Sequence, residues 1–576
     1  MSGEAGLRVV LCWHMHQPQY CDRISGEYKL PWSYLHAIKD YVDMAAHLEA
    51  VPAAKAVVNF APVLLEQLND YSDQVSGFLR DHKAIRDPLL AALVEPVLPA
   101  HPEQRLDLIN NCMRINRERV VARFPAYQRL TELAEPFLKN CADLLYVSDQ
   151  LLSDLLFWYH LGWIGETVRR SDLRVQRWQE QGNNFSLHDR RELLSLIGEL
   201  LSGVIDRYAG LADRGQVELS VTPYAHPIMP LMMEIQSARE AMPDTELPEL
   251  EFYQGGEARV RWHLHEGIKV FEQYFGRKPA GCWPSEGSVS GSTLDLLEEY
   301  GFSWAASGES VLRNSLFGSV GEEAAAASDA VLKGYHVGNG KTVCFFRDDK
   351  LSDDIGFNYS TWHADDAVAN FVHHLEKIAK QHEGRNLALP IILDGENAWE
   401  HYPENGYYFL KTLYEKLADH PTLKLSTFSE CLQEGIEIGS LSTMVSGSWV
   451  YGNFSTWIGD RDKNRGWDML GDAKRAFDKA CAAGGLDSNQ LRVAQLQLAV
   501  CEGSDWFWWL GDYNPAHSVS DFESLFRMHL SDLYSLLGLE PPEYLAHTFA
   551  RGSGAPTVGG VMRHGQASDG VHQEIL

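Results

Sequence analysis

Residues 387–400, LALPIILDGENAWE, decide the fold class. An unbroken apolar run, Leu387 to Leu393, delivers Asp394, Glu396 and Asn397 into a loop that carries Trp399 and Glu400. A short apolar run bounded by turn residues suits a strand covered on both faces, as strands of parallel sheets are. Similar runs stand at 7–13 (LRVVLCW), 54–60 (AKAVVNF), 216–223 (QVELSVTP), 280–284 (AGCWP), 302–307 (FSWAAS) and 341–347 (KTVCFFR). Stretches with three- and four-residue apolar spacing fall between several of them, at 257–275, 292–301 and 365–384. Short buried strands alternating with helices predict an α/β fold built on a parallel sheet. The chemistry-bearing residues fall at the C-terminal ends of these strands, where parallel α/β folds assemble their sites.

Working outward, residues 1–435 read as one catalytic unit, with a mostly helical insertion at about 63–210. Segments such as LLEQLNDYSDQVSGFL and RLDLINNCMRINRERVVARF carry the helical period within the insertion. Past 436 the composition shifts to a Gly- and Trp-rich loop, GSWVYGNFSTWIGDRDKNRGWDML at 447–470. Helical patterns follow at 472–483, 488–503 and 520–537, so 436–550 reads as a C-terminal helical domain carrying a Trp-rich substrate loop. Residues 551–576 are Gly/Ser-rich without periodicity and read as a disordered tail.

The net charge of −29, from 50 basic and 79 acidic residues, repels phosphate backbones and anionic lipid, so nucleic acid and membrane surfaces are not expected partners. A neutral substrate such as a sugar meets no such penalty. Nine scattered cysteines without a CxxC pair point to free thiols in a reducing compartment. The first residues lack a basic segment followed by a long apolar one, so a cytoplasmic protein is expected. Sixteen tryptophans, several beside polar residues, suit platforms on which sugar rings stack.

Five constellations carry chemistry. In WHMHQP, His14 and His16 lie two apart after a strand and face one side, followed by Gln17. They could hold a metal, bind sugar hydroxyls, or simply close a strand as a polar cluster. In GCWPSEGSVS, Glu286 follows a short strand between Trp283-Pro and small residues, a placement that favours a shaped site over an exposed loop acid. In ILDGENAWEHYPENG, Asp394 and Glu396 sit beside Trp399, and burial against aromatics raises a carboxyl pKa as a general acid requires. In CEGSDWFWWLGD, Asp505 lies among Trp506, Phe507, Trp508 and Trp509, unwelcome in a plain helix core. The fifth, RGQVELSVTPYAHPIMPLM, offers Glu218, Thr222 and His226.

Together these segments resemble glycoside hydrolase family 57, whose five signature regions match in order: HMHQP at 14–18, GQVELSVTPYAHP at 215–227, CWPSEGS at 282–288, ILDGEN at 392–397 and EGSDWFWW at 502–509. The resemblance implies a distorted (β/α)7 barrel followed by a helical domain. It implies action on α-glucans with retention of configuration, Glu286 being the nucleophile and Asp394 the acid/base, without a metal or other cofactor. It further implies that the histidines of the first region and tryptophans of the later segments line sugar subsites. His14, His16, Gln17, His226, Trp283, Glu396, Trp399, Trp449, Trp457, Asp505 and Trp508 are the expected substrate-binding residues. The DGEN-W-E wording and the SWVYGNFSTWIGD loop look most like the α-amylase and amylopullulanase-like group. A 4-α-glucanotransferase or branching-type transglycosylase could use the same residues. Two readings of other classes compete: a zinc-dependent deacetylase using His14 and His16 with His226 or Asp394, and a non-catalytic glucan-binding protein.

Overall fold

In a computed structural model of the chain, which describes residues 7–139, 141–554, 562, 563 and 565, the apolar runs become a curled sheet. Its strands are β1 (Leu7–Met15), β2 (Ala56–Phe60), β3 (Val217–Val221), β4 (Gly281–Cys282), β5 (Trp304–Gly308), β6 (Gly334–Val337), β7 (Val343–Arg347), β8 (Ala388–Asp394), β9 (Leu423–Leu425) and β10 (Ile438–Leu441). β8, β1, β2, β3, β4, β5 and β7 run parallel in that order. Asp348, one residue past β7, donates its N–H to the Pro390 carbonyl of β8 (2.9 Å), and Arg347 Nη1 reaches the Ile392 carbonyl (3.2 Å). These bonds bring the ends of the sheet together and give the (β/α)7 barrel. The seam also explains why a proline is tolerated in β8. The Pro390 carbonyl faces β7, so its missing N–H falls on the same, sparsely bonded side.

Burial follows the sequence logic. Val9, Val10, Leu11, Cys12 and Trp13 of β1 are all fully buried, because barrel core covers one face and helices the other. The insertion runs from the helix Pro62–Asp81 to the helix Leu187–Asp213. The first starts with proline at its first turn, where the absent N–H costs nothing. The last is opened by a capping box between Ser186 and Asp189, a cap worth about 1 kcal/mol. Among the described residues, no helix is long and apolar enough to cross a membrane.

Three expectations need correction, and three strands go unread. The sheet does not stop at 435: β10 pairs with β6, so residues 438–441 belong to the same sheet as β1–β9. Three short strands, β6, β9 and β10, lack an apolar run long enough to be read from sequence. The helical period at 105–124 is realised only to Cys112, beyond which the chain turns. The described part of the expected disordered tail is packed: Met562 is buried, Gly565 bonds Asp353 and Tyr451, and Arg563 lies over Trp508 and Tyr513. The rest of that tail lies outside the described residues.

Candidate active site

Register builds the site. In the parallel ladder His14 of β1 stands opposite Asn59 of β2 and Asp394 of β8, so three polar side chains meet at one rim. His14 Nδ1 lies 2.6 Å from Asn59 Oδ1 and its Nε2 lies 3.1 Å from His226 Nε2. His226 Nδ1 is 2.8 Å from Ser504 Oγ, and Ser504 donates to Glu286 Oε1 at 3.3 Å. Trp449 Nε1 donates to the other oxygen, Glu286 Oε2, at 3.1 Å. Glu286 itself sits in the left-handed region (φ 58°, ψ 24°), as does Gly287 after it. Such a conformation costs a non-glycine residue on the order of 1–2 kcal/mol and persists only where surroundings hold it. At Gly287 there is also no room for a side chain, since a Cβ would come within 2.8 Å of the Trp283 ring.

Single protons can be followed along this chain. Ser504 has one hydroxyl proton and gives it to Glu286, so its oxygen accepts from His226 Nδ1–H. His226 Nε2 then accepts from His14 Nε2–H, and His14 Nδ1 needs a donor. Turning the Asn59 amide over supplies it. The same turn relieves Thr222, whose one hydroxyl proton otherwise faces both Asn59 Oδ1 and the Trp283 carbonyl at 2.8 Å each. Burial holds His14 down at about 3 and pushes His226 well below its ordinary value, so both imidazoles are neutral and can relay hydrogen bonds this way.

The two expected catalytic acids share the cleft. Burial, then the charges of Asp505 and Asp394, push Glu286 well above the usual carboxylate range. Burial also raises Asp394, whose Oδ2 accepts one bond from Asn397 Nδ2 at 2.8 Å. Burial is the first cause for both, and the charge of Asp394 adds to the rise at Glu286. Glu396 is a third raised acid: its Oε1 accepts from Gln17 Nε2 (3.1 Å), Tyr41 OH (3.2 Å) and the His16 N–H (3.3 Å). Its Oε2 has no protein partner, and neither has His16 Nδ1. His16 Nε2 is held 2.9 Å from Asp505 Oδ1. Free polar atoms on otherwise anchored side chains suit the hydroxyls of a neutral ligand.

The cleft is large, about 1190 Å³, and opens away from the barrel between the insertion and the C-terminal helices. Arg114 of the insertion pairs with Asp521 of the helix Ala516–Leu536 across it, at 2.7 Å. Trp508, Trp509 and Phe522 give it an aromatic wall.

Of the residues expected here, His14, His16, Gln17, His226, Glu286, Asp394, Glu396, Trp449, Asp505 and Trp508 line this one cleft. Trp283, Trp399 and Trp457 do not, and the reason is burial. Trp283 packs edge-on beneath Trp449, Trp399 wedges against Trp13 with its N–H on the Gly395 carbonyl, and Trp457 lies behind Trp508. None presents a face on which a sugar could stack. Glu218 sits lower on β3, holding Trp304 and Ser429. Sequence reading missed Asn59, Tyr41 and Ser504. An asparagine inside the buried run AKAVVNF is the one signal that could have flagged the first.

His14, His16 and His226 bring ring nitrogens close enough to suggest a metal ion. Ring geometry argues against it. The His16 and His226 rings stack face to face, 3.8 Å between centroids and 19° between planes. A coordinated ion lies near the plane of each imidazole that binds it, and two stacked parallel rings cannot both meet that condition.

The chain matches the family model described as glycosyl hydrolase family 57 over residues 10–440. No curated protein matches it. Among solved structures it is similar to a GH57-type branching enzyme from Pyrococcus horikoshii, at 17% identity and TM-score 0.54, covering 94% of this chain and 93% of that one. It is similar to a GH57 branching enzyme from Thermococcus kodakaraensis at 16% identity and TM-score 0.55, covering 92% and 90%. It is also similar to the α-amylase AmyC from Thermotoga maritima at 14% identity and TM-score 0.54, covering 94% and 96%. At these identities the likeness is one of fold.

Proposed function

The chain belongs to glycosyl hydrolase family 57, and on that premise we propose that it is a retaining enzyme acting on α-glucans, with Glu286 as nucleophile and Asp394 as acid/base. One observation carries the reading: two carboxyls whose ionisation burial opposes face one large cleft, and their hydrogen-bond settings differ. Glu286 receives two donors, Trp449 Nε1–H and Ser504 O–H, while Asp394 receives one. We place the pair's proton on Asp394 and the charge on Glu286, as a retaining step requires; the two donors to Glu286 favour that state, against the burial that raises Glu286 the more strongly of the two.

In the first step Asp394 protonates the glycosidic oxygen as Glu286 attacks the anomeric carbon, giving a glycosyl ester and a free leaving sugar. Esterification removes the charge of Glu286, so the pKa of Asp394 falls and it can take a proton from the incoming water. The unpartnered His16 Nδ1 and Glu396 Oε2 bind hydroxyls of the reacting sugar. Hydrolysis of α-1,4 bonds, and of α-1,6 bonds where the cleft admits a branch point, is the amylase- or amylopullulanase-type outcome. A second reading, transfer to an acceptor sugar, is favoured by the volume of the cleft, about 1190 Å³, and its aromatic wall.

Azide tests the assignment. Glu286→Ala and Asp394→Ala should each lower kcat by about 10⁴-fold or more with the fold intact. Azide should then yield a β-glycosyl azide from the first variant and an α-glycosyl azide from the second. Near wild-type turnover in either variant refutes the roles. Chelator-sensitive activity with stoichiometric zinc would instead support a deacetylase, and glucan binding without turnover a binding protein. Product analysis on amylose, pullulan and glycogen separates hydrolysis from transfer.

A further inference from the structure

Away from the cleft, the chain after β7 forms a second concavity of about 530 Å³ that shares no lining residue with the first. Its volume lies within the range of small-ligand pockets, about 300–1,000 Å³. It is built from a widened helical turn, Asp354–Asn358, a tight turn, Tyr359–Thr361, and the start of the helix Ala364–Gln381. Widened π turns inside helices recur at functional sites. This one is held by Tyr402, whose hydroxyl donates to the Ile355 carbonyl at 2.6 Å.

At its mouth stands Trp362, at 45% the one exposed tryptophan among the described residues. Its ring is held edge-on by the buried Tyr359, with centroids 5.4 Å apart at 74°. The surrounding polar groups are anchored but not exhausted. Tyr359 OH donates to Asn370 Oδ1 at 2.8 Å, which leaves both amide protons of Asn370 free. Asn358 donates to Asp354 Oδ1 at 2.7 Å, which leaves its own carbonyl oxygen as an acceptor. His374 lies one turn from Asn370 on the same helix face, and burial and Lys350 hold it below its ordinary value, hence neutral. The charges within the concavity are spent on each other: Lys350 Nζ binds Asp354 Oδ2 at 2.6 Å.

An exposed indole face amid neutral donors and acceptors, on a strongly acidic protein, selects for a neutral, hydroxyl-rich ring with an apolar face. We propose that this concavity is a second, non-catalytic carbohydrate-binding site that holds a distal stretch of the same α-glucan. The proposal rests on the α-glucan reading above. Its placement fits: the segment rises from the C-terminal end of β7, next to the strand that carries Asp394. Ser360 within it accepts from Arg119 of the insertion at 3.3 Å, next to cleft-lining residues of that segment.

The test uses the full chain. In the Glu286→Gln background, which prevents digestion, retardation in gels containing glycogen should weaken about tenfold on Trp362→Ala, and Trp362→Phe should restore part of it. With Glu286 intact, Trp362→Ala should leave kcat and KM unchanged on a short maltooligosaccharide that reaches only the cleft. Unchanged glycogen retardation overturns the site while leaving the catalytic reading intact. Equal loss on the short substrate overturns it too, because Trp362 would then act through the cleft. If the unsubstituted protein neither cleaves nor binds any α-glucan, the catalytic reading falls and takes this site with it.

Discussion

Replacing Ser504 by alanine tests the proton arrangement more sharply than removing either acid. Its hydroxyl is buried, 3.3 Å from Glu286 Oε1 and 2.8 Å from His226 Nδ1. A hydrogen bond to a charged group contributes about 1.5–3 kcal/mol, and this long one should lie at the low end. At 1.36 kcal/mol per unit, its loss raises the pKa of Glu286 by about one unit. The sign follows from the donor favouring the ionised form: without it, Glu286 holds its proton to higher pH. Attack requires ionised Glu286, so the acidic limb of the kcat/KM profile moves up by about one unit while the plateau falls less than about tenfold. His226 Nδ1–H is left unpaired and buried, which costs a further 1–3 kcal/mol or so of stability. Steady-state rates on an aryl maltooligosaccharide across roughly pH 4–9 read the limb, and Ser504→Thr, which keeps the hydroxyl, should keep its position. Trp449→Phe removes the other donor and should shift the limb in the same direction. A rate loss with an unmoved limb would refute the reasoning, since it would make Ser504 a packing residue only.

Glu396, held well above the usual range by burial and by Asp394, should act as a neutral donor through Oε2. Glu396→Gln should then change KM less than about threefold, whereas Glu396→Ala raises it about tenfold or more in steady-state assays. Glu502 is fully buried against Arg259 (2.8 Å) and His263 (2.8 Å), which hold it down at about 2. Its folded value lies below its unfolded one, so its stabilisation is present above about pH 4.5 and is lost as pH falls toward 2. Glu502→Ala should cost about 3–5 kcal/mol in urea denaturation at neutral pH, and less in acid. Gly287→Ala meets both a left-handed backbone (φ +58°) and the Trp283 ring, so it should lower the melting temperature and displace Glu286, with kcat falling more than KM rises.

The barrel was legible because its strands are short apolar runs that end in polar residues. β2, β3, β4, β7 and β8 fall within the segments read from sequence, and β1 and β5 run past theirs by two residues and one. β9 and β10 escaped because a strand at the margin of a sheet needs no continuous apolar run: Lys424 and two positions of β10 are exposed. The Trp-rich loop was read as one piece, yet a helix starts at Arg461, capped by the Asp460 side chain. The aspartate before a long amphipathic stretch was the missed cue.

The site was legible where chemistry fixes residue type and illegible where tertiary packing decides which way a ring points. A carboxylate at a buried strand end must meet partners, so Glu286 and Asp394 stood out. A tryptophan beside polar residues has two fates, platform or core, with the same local sequence. Trp508 and Trp449 line the cleft while Trp457, Trp399 and Trp283 are sealed, and each sealed one packs against aromatic rings from distant or neighbouring segments. The histidines make the same point about metals. Spacing alone left His14 and His16 open to a zinc reading, with His226 a plausible third ligand. What speaks against that reading is an angle no spacing encodes, the 19° between the His16 and His226 rings. Stacked and anchored imidazoles, His14 on Asn59, His16 on Asp505 and His226 on Ser504, tie the first signature region to the fifth and orient what meets Glu286.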